Sequence, residues 1–199
     1  QTREFLIIMS DQHHAGVLGC AGDAAVQTPA LDRLAARGMR FSTAYCASPL
    51  CGPSRMSFMT ARHPHETGLW SNEEALSSDI PTFAHAFLAG GYETVLSGRM
   101  HFVGADQRHG FAQVRIATGA DHQQGAGAGQ VVELAQLFLQ TGEALDRRVA
   151  CLARNHRAEE FDGIAQAFDA DEQLVQRGRI VGTGRIGQLE YCLQLAAQA

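Results

Sequence analysis

Cys46-Ala47-Ser48-Pro49-Leu50-Cys51-Gly52-Pro53-Ser54-Arg55, running on into Met56-Ser57-Phe58-Met59-Thr60-Ala61-Arg62, is the most informative segment of the chain. Pro53 fits the first turn of a helix, where a missing N–H costs nothing. Met56, Met59 and Phe58 then supply an inward face. Cys51 is expected just ahead of the helix N-terminus, where unpaired N–H groups and the macrodipole favour negative charge. Arg55, about one turn further on, is placed to set a guanidinium beside a bound anion. A thiol, an anion cradle and a fixed cation thus fall close together in the chain.

Outward from that stretch, strands and helices alternate. Phe5-Leu6-Ile7-Ile8-Met9 is a continuous apolar run, as in a strand buried on both faces. Ser10-Asp11-Gln12-His13-His14 follow it, at the carboxyl end of a strand, where open α/β sheets build their sites. From position alone, Asp11 reads equally well as a ligand or as the cap of the next turn. His13 and His14 are adjacent, so they point in different directions, and they lack a second cluster at zinc spacing. Thr28-Pro29-Ala30-Leu31-Asp32-Arg33-Leu34-Ala35-Ala36-Arg37-Gly38 reads as a complete helix, capped by Thr28 and stopped at Gly38. Met39 to Tyr45 alternates as a second strand should.

Beyond the signature helix, Arg62 to Gly68 reads as a loop with His63 and His65 on its surface. Trp70-Ser71-Asn72 is irregular, and Asn72 serves either a turn or a bound molecule. Asp79 to Phe83 starts a helix with Phe83, Phe87 and Leu88 inward, ending at Gly90-Gly91, and His85 on it reads as structural. Tyr92 to Leu96 is a further strand, from whose carboxyl end Ser97-Gly98-Arg99-Met100-His101 departs. The expected fold is α/β, a mostly parallel sheet flanked by helices over residues 1–117. Residues 118–130 form a glycine-rich connection, and residues 131–199 a mainly helical tail.

Composition narrows the function classes. The chain has 199 residues, 45% of them apolar and 19% charged, enough for a sizeable core. Its formal charge of −5 and lack of an arginine run speak against nucleic acid. No apolar stretch approaches the ~20 residues of a membrane span. Gln1-Thr2-Arg3-Glu4 leads into a strand with no visible signal peptide, so the expected location is cytoplasmic, or periplasmic after removal of such a peptide. The five cysteines form neither a zinc spacing nor a paired framework. All 16 basic residues are arginine, so no lysine is available as a catalyst.

Cys51-x-Pro53-x-Arg55 followed by a helix resembles the signature of the sulfatase family, in which the cysteine is oxidised after translation to formylglycine. Tyr45-Cys46-x-Ser48-Pro49-Leu50-Cys51, Ser77-Ser78-Asp79-Ile80-Pro81-Thr82-Phe83-Ala84-His85 and Phe102 to Phe111 are most similar to choline-sulfatase-type members. The likeness runs from about residue 4 to 116 and implies the first half of an alkaline-phosphatase-like fold. It implies a sulfuric ester hydrolase acting on a small sulfate ester, with a formylglycine-generating enzyme as maturation partner and no nucleic acid or membrane. Asp11, Gln12 and the modified Cys51 would be metal ligands for Ca²⁺, or Mg²⁺ in its place, and a neutral glutamine oxygen suits such hard cations. Cys51, Arg55, Arg99 and His101 would be the catalytic residues, and Asn72 would border the substrate. A hydroxyl of the hydrated aldehyde would attack sulfur while the arginines neutralise charge and His101 hydrogen-bonds the reacting group.

The chain departs from the family in two respects. Arg99 stands where sulfatases carry lysine, and a flat guanidinium does not replace an ammonium freely at a tight site. The later Asp-His-Gly or Asp-Asn-Gly metal motif and the downstream lysine are not found. Asp121-His122-Gln123-Gln124 lacks the glycine and is not read as a metal site. A catalytically incomplete sulfatase-like fragment and a phosphonate or phosphate monoester hydrolase are therefore the alternative readings.

Overall fold

The computed structural model describes residues 5–11, 13–114, 148–155, 178–181 and 191–197. Its centre is β1, Phe5–Asp11, whose apolar run is buried from Ile7 to Met9. Consecutive strand residues point to opposite faces. Ile7 and Met9 join the main core cluster, while Ile8, 1% exposed, is buried outside it. The expectation of a strand covered on both sides is met.

Three helices and a short turn-like helix follow before the chain returns to the sheet. Helix α1 is Pro29–Arg37, α2 is Cys51–Thr60, α3 is Pro64–Thr67 and α4 is Phe83–Ala89. Strand β2, Glu93–Gly98, and the two-residue β3, Gln113–Val114, come next, then β4, Arg148–Asn155, β5, Gly178–Val181, and β6, Tyr191–Ala197. The sheet order is β3-β2-β4-β1-β6-β5. β3, β2, β4 and β1 are mutually parallel, whereas β6 runs antiparallel to β1 and to β5. The fold is α/β, a mostly parallel sheet with helices packed on it.

The core is built where α2 and α4 meet β1 and β2. Met56 and Met59 of α2 and Ala84 of α4 pack with Met9, Leu96, Met100 and Phe111. Phe83 stacks edge-on against Phe58 and Phe111, with ring centroids 5.6 and 6.0 Å apart. Such edge-to-face contacts add to area burial.

Sequence expectations are corrected at five places. Pro64–Thr67, inside the expected loop of residues 62–68, is helix α3, and Thr28 precedes α1 without a side-chain cap bond, its hydroxyl engaging Gly19 and Asp32 instead. Met39–Tyr45 is not a strand, beyond a single bridge at Met39; its Met39 and Tyr45 are 59% and 65% exposed, so the alternation meets no sheet face. Leu88 is 46% exposed rather than inward, because Phe83 and Phe87 lie four residues apart on one helix face and Leu88 turns about 100° away from it. The tail is not helical at 148–155, 178–181 and 191–197, which are strands. Val149-Ala150-Cys151-Leu152-Ala153 is a five-residue apolar run like that of β1, and β4 lies between β1 and β2, where a continuous apolar strand belongs. The remainder of the expected tail, the glycine-rich connection and Gln12 lie outside the described residues.

Candidate active site

Parallel strands β1, β4 and β2 bring their carboxyl ends to one edge of the sheet. Met9 and Gly98 are level across Ala153 of β4, and Asp11 is in register with Asn155. The segment leaving β2, Arg99-Met100-His101, therefore starts beside the end of β1.

Helix α2 delivers Cys51 to this edge as its first residue, one position later than the sequence suggests, and Cys51 is half-buried. Its N-terminus is less of an anion cradle than the sequence implies. The Gly52 N–H already donates to Asn72 Oδ1 at 2.9 Å, Pro53 has no N–H, and the Ser54 N–H donates to the Leu50 carbonyl at 2.9 Å. The helix dipole remains, but an anion here depends on side chains for most of its hydrogen bonds.

Gly52 is close against the Asn72 segment. A Cβ at residue 52 would lie 3.3 Å from Asn72 Oδ1 and 3.4 Å from the Ser71 carbonyl, so glycine permits the approach.

Arg55 does not reach outward from the helix. It is 1% exposed, and Nη1 donates to the Arg99 carbonyl at 2.7 Å, beside the sulfurs of Met9 and Met100 at 3.6 and 3.8 Å. The guanidinium thereby ties α2 to β1 and to the loop after β2. That loop is strained: His101 has φ of 60°, a left-handed conformation costing a β-carbon residue of order 1–3 kcal/mol. Three hydrogen bonds hold it there. Arg99 Nη2 donates to His101 Nδ1 at 2.8 Å, His101 Nε2 donates to the Asn72 carbonyl at 3.1 Å, and Arg55 holds the Arg99 carbonyl.

Of the residues singled out from the sequence, Arg55, Asn72, Arg99 and His101 are brought together by these bonds, and Cys51 is the chain neighbour of Gly52, which Asn72 holds. Asp11 closes β1 at the same edge. His13 is buried and engages the Val17 carbonyl at 2.9 Å, whereas exposed His14 accepts from the Gly16 N–H at 3.0 Å, so the pair is divergent. His63 and His65 are exposed, and His85 accepts from the Thr82 N–H at 3.1 Å as a structural cap.

His109 is the residue that sequence reasoning passed over. It is 1% exposed, lies against Phe102 with centroids 4.7 Å apart, and has φ of 41°. Burial pushes its imidazole below the ordinary value, against the opposing pull of Asp106. Asp106 in turn accepts N–H groups from His109 and Arg108, which hold its carboxyl below the usual range. No local pattern marks such a histidine, since its burial arises from packing after residue 101.

The sequence model of the Sulfatase family matches residues 3–153, most of the chain. This chain belongs to the sulfatase family. It is 44% identical over 113 residues to a choline-sulfatase of Rhizobium meliloti, covering 57% of the chain and 22% of that protein. It is 34% identical over 120 residues to an N-acetylglucosamine-6-O-sulfatase of Bacteroides thetaiotaomicron, covering 60% of the chain and 21% of that protein. A solved 2-O glycosaminoglycan sulfatase superposes with a TM-score of 0.63 at 27% identity, over 78% of the chain and 35% of its partner. The chain thus spans about a fifth of the length of the curated sulfatases it matches. Among the described residues no helix is long and apolar enough to cross a membrane.

Proposed function

We propose that this sulfatase chain carries the sulfate-binding half of a sulfuric ester hydrolase, with Cys51 as the precursor of its formylglycine. The observation that carries the reading is the linking of Arg55, Asn72, Arg99, His101 and Gly52, the chain neighbour of Cys51, by bonds between segments 20 to 44 residues apart. The reaction would break the bond from sulfur to the ester oxygen, add water, and release an alcohol and sulfate.

The family implies a divalent metal as well as formylglycine. Among the described residues no group of three or more His, Cys, Asp or Glu side chains forms a metal cluster. The donor types at the edge still suit a hard cation, for Asp11 and Asn155 are register partners there and both carry oxygen. Asp11, Gln12 and residue 51 would hold it. When bound, the metal supplies positive charge to the sulfuryl oxygens, and formylglycine supplies the nucleophilic hydroxyl.

The chain's own residues do the rest. Arg99 brings a permanent positive charge to the end of β2, and Arg55 adds a second one turn inside α2. Two guanidinium groups and a helix N-terminus raise the local positive potential where a sulfate monoanion would bind. Arg55 fixes the backbone of residue 99, and Asn72 fixes Gly52 next to Cys51, so the backbone beside residue 51 is held in place. Pre-organisation of this kind lowers the reorganisation needed at reaction.

Choline sulfate is the first substrate to test, given the likeness to a choline-sulfatase, with an aryl sulfate and a phosphonate monoester as comparators. The chain would be co-expressed with a formylglycine-generating enzyme, the Cys51 peptide weighed for the thiol-to-aldehyde change, and sulfate release measured with added Ca²⁺ or Mg²⁺. Conversion with sulfate release is expected, and Cys51→Ala should reduce release to background. Conversion without release from any sulfate ester would overturn the reading for this chain, and turnover of the phosphonate alone would move it to the phosphorus esters.

A further inference from the structure

Leu69 and Leu76 are both buried in the main core cluster, and residues 70–75 between them pass over the surface without helix or strand. Among the described residues no backbone-to-backbone hydrogen bond closes this loop. Side chains order it instead. Glu74 Oε2 accepts the N–H groups of both Trp70 and Ser71, the latter at 2.9 Å, and Ser71 Oγ accepts the Glu73 N–H at 3.3 Å. The Trp70 and Ser71 N–H groups hold the Glu74 carboxyl below the usual range, so at neutral pH it is ionised and both bonds are charge-assisted.

Asn72 sits inside the turn that this carboxylate closes. Its Oδ1 accepts the Gly52 N–H at 2.9 Å, and the Ser71 carbonyl and Asn72 Cα each lie 3.4 Å from where a Gly52 Cβ would stand. The backbone of residues 71 and 72 is therefore set against the residue next to Cys51. We propose that Glu74 is a positioning residue of the site, whose carboxylate fixes residues 70–72 in the turn that delivers Asn72 to Gly52 and so holds the backbone beside Cys51. Two bonds to backbone N–H groups constrain φ and ψ along the turn, which a pair of long exposed side chains would not do. Reach matters as much as charge. A carboxylate one methylene shorter cannot span back to residues 70 and 71 together, whereas an amide of the same length offers an acceptor oxygen at the same place without the charge.

The weight of this device for catalysis rests on the proposed role of Cys51, but the test needs no substrate, so a chain that releases no sulfate can still pass it. Amide hydrogen exchange of the ¹⁵N-labelled chain is followed by NMR at Gly52 and, as an internal control, at Gly38, whose N–H donates to the Leu34 carbonyl at the end of α1. In Glu74→Ala, Gly52 should exchange faster by about 10-fold or more while Gly38 keeps its wild-type rate. Glu74→Gln should restore much of the protection, and Glu74→Asp should not. A Gly52 rate in Glu74→Ala within about 2-fold of wild type would overturn the proposal. So would equal acceleration at Gly52 and Gly38, which would make Glu74 a contributor to global stability only. If Glu74→Ala does not fold, the other two variants decide: slower Gly52 exchange in Glu74→Gln than in Glu74→Asp supports the role, and equal or reversed rates overturn it.

Discussion

The junction at the start of α1 and the junction at the start of α2 use the same device for different ends. At α1, Thr28 Oγ1 accepts the Gly19 N–H at 2.8 Å and donates to Asp32 Oδ1 at 3.1 Å, while Asp32 also accepts the Cys20 N–H at 2.6 Å. A loop is stitched to a helix by side chains within 12 residues of it, and Gly19 sits so close that a Cβ would meet the Asp32 carboxylate. At α2, Asn72 satisfies a helix N–H from 20 residues away, and its carbonyl passes the connection on to His101 and Arg99. In both places a polar side chain relieves backbone groups that would otherwise be unpaired. What differs is the company each keeps. The first junction ends in scaffold, and the second ends at a thiol, two guanidinium groups and a histidine with a left-handed backbone. A side chain that ties a distant segment to a helix start is thus no marker of function by itself; the groups held by it are.

That contrast can be broken experimentally. Arg55→Met should have the largest effect, because it strips a buried charge-assisted hydrogen bond from the Arg99 carbonyl. Stability in urea should fall by about 2 kcal/mol, with sulfate release lost as the loop at 99–101 relaxes. Unchanged stability would mean that the contact contributes nothing to the core.

Thr28→Ala and Asn72→Ala form the decisive pair. Each removes one side-chain partner of a backbone N–H, and each should cost about 1 kcal/mol in a denaturant melt. They should part company in turnover: Thr28→Ala leaves kcat where it was, whereas Asn72→Ala lowers kcat by about 10-fold or more through misplacement of residue 51. Equal kcat values in the two variants would erase the distinction between scaffold and site.

The smallest effect is the one set by pH. His109 is held below its ordinary value of 6.5 by burial, so the unfolded chain binds a proton there more readily than the folded chain does. Stability should therefore rise with pH through that region and fall on acidification below about 6.5, levelling off beneath the folded value. His109→Gln should flatten this limb of a urea midpoint-against-pH profile. Persistence of the limb would assign it to another histidine. Asp106 acts in the same sense but lower, contributing stability above its unfolded value that is lost as pH falls through its depressed folded one.

Much of the fold was legible because its signals are local. The apolar run of β1, the Thr28–Gly38 helix and the helix carrying Met56 and Met59 each declare themselves over a few residues. The same reading missed β4, though its run from Val149 to Ala153 carried a signal like that of β1, because residues spaced at three and four also fit a helix. At Met39–Tyr45 the error ran the other way, since alternation without a neighbouring strand to pair with makes no sheet.

Residue type and periodicities of two to four positions were enough for the family likeness, for the residues that could do chemistry, and for β1, α1, α2 and β2. Only the tertiary structure decided what those residues do to one another: that Arg55 is a buried tie, that Asn72 spends its side chain on Gly52, and that Arg99 donates to His101. Hydrogen bonds are directional and short, and most of these partners lie 20 to 44 residues apart, so they exist only once the sheet has brought its carboxyl ends to one edge.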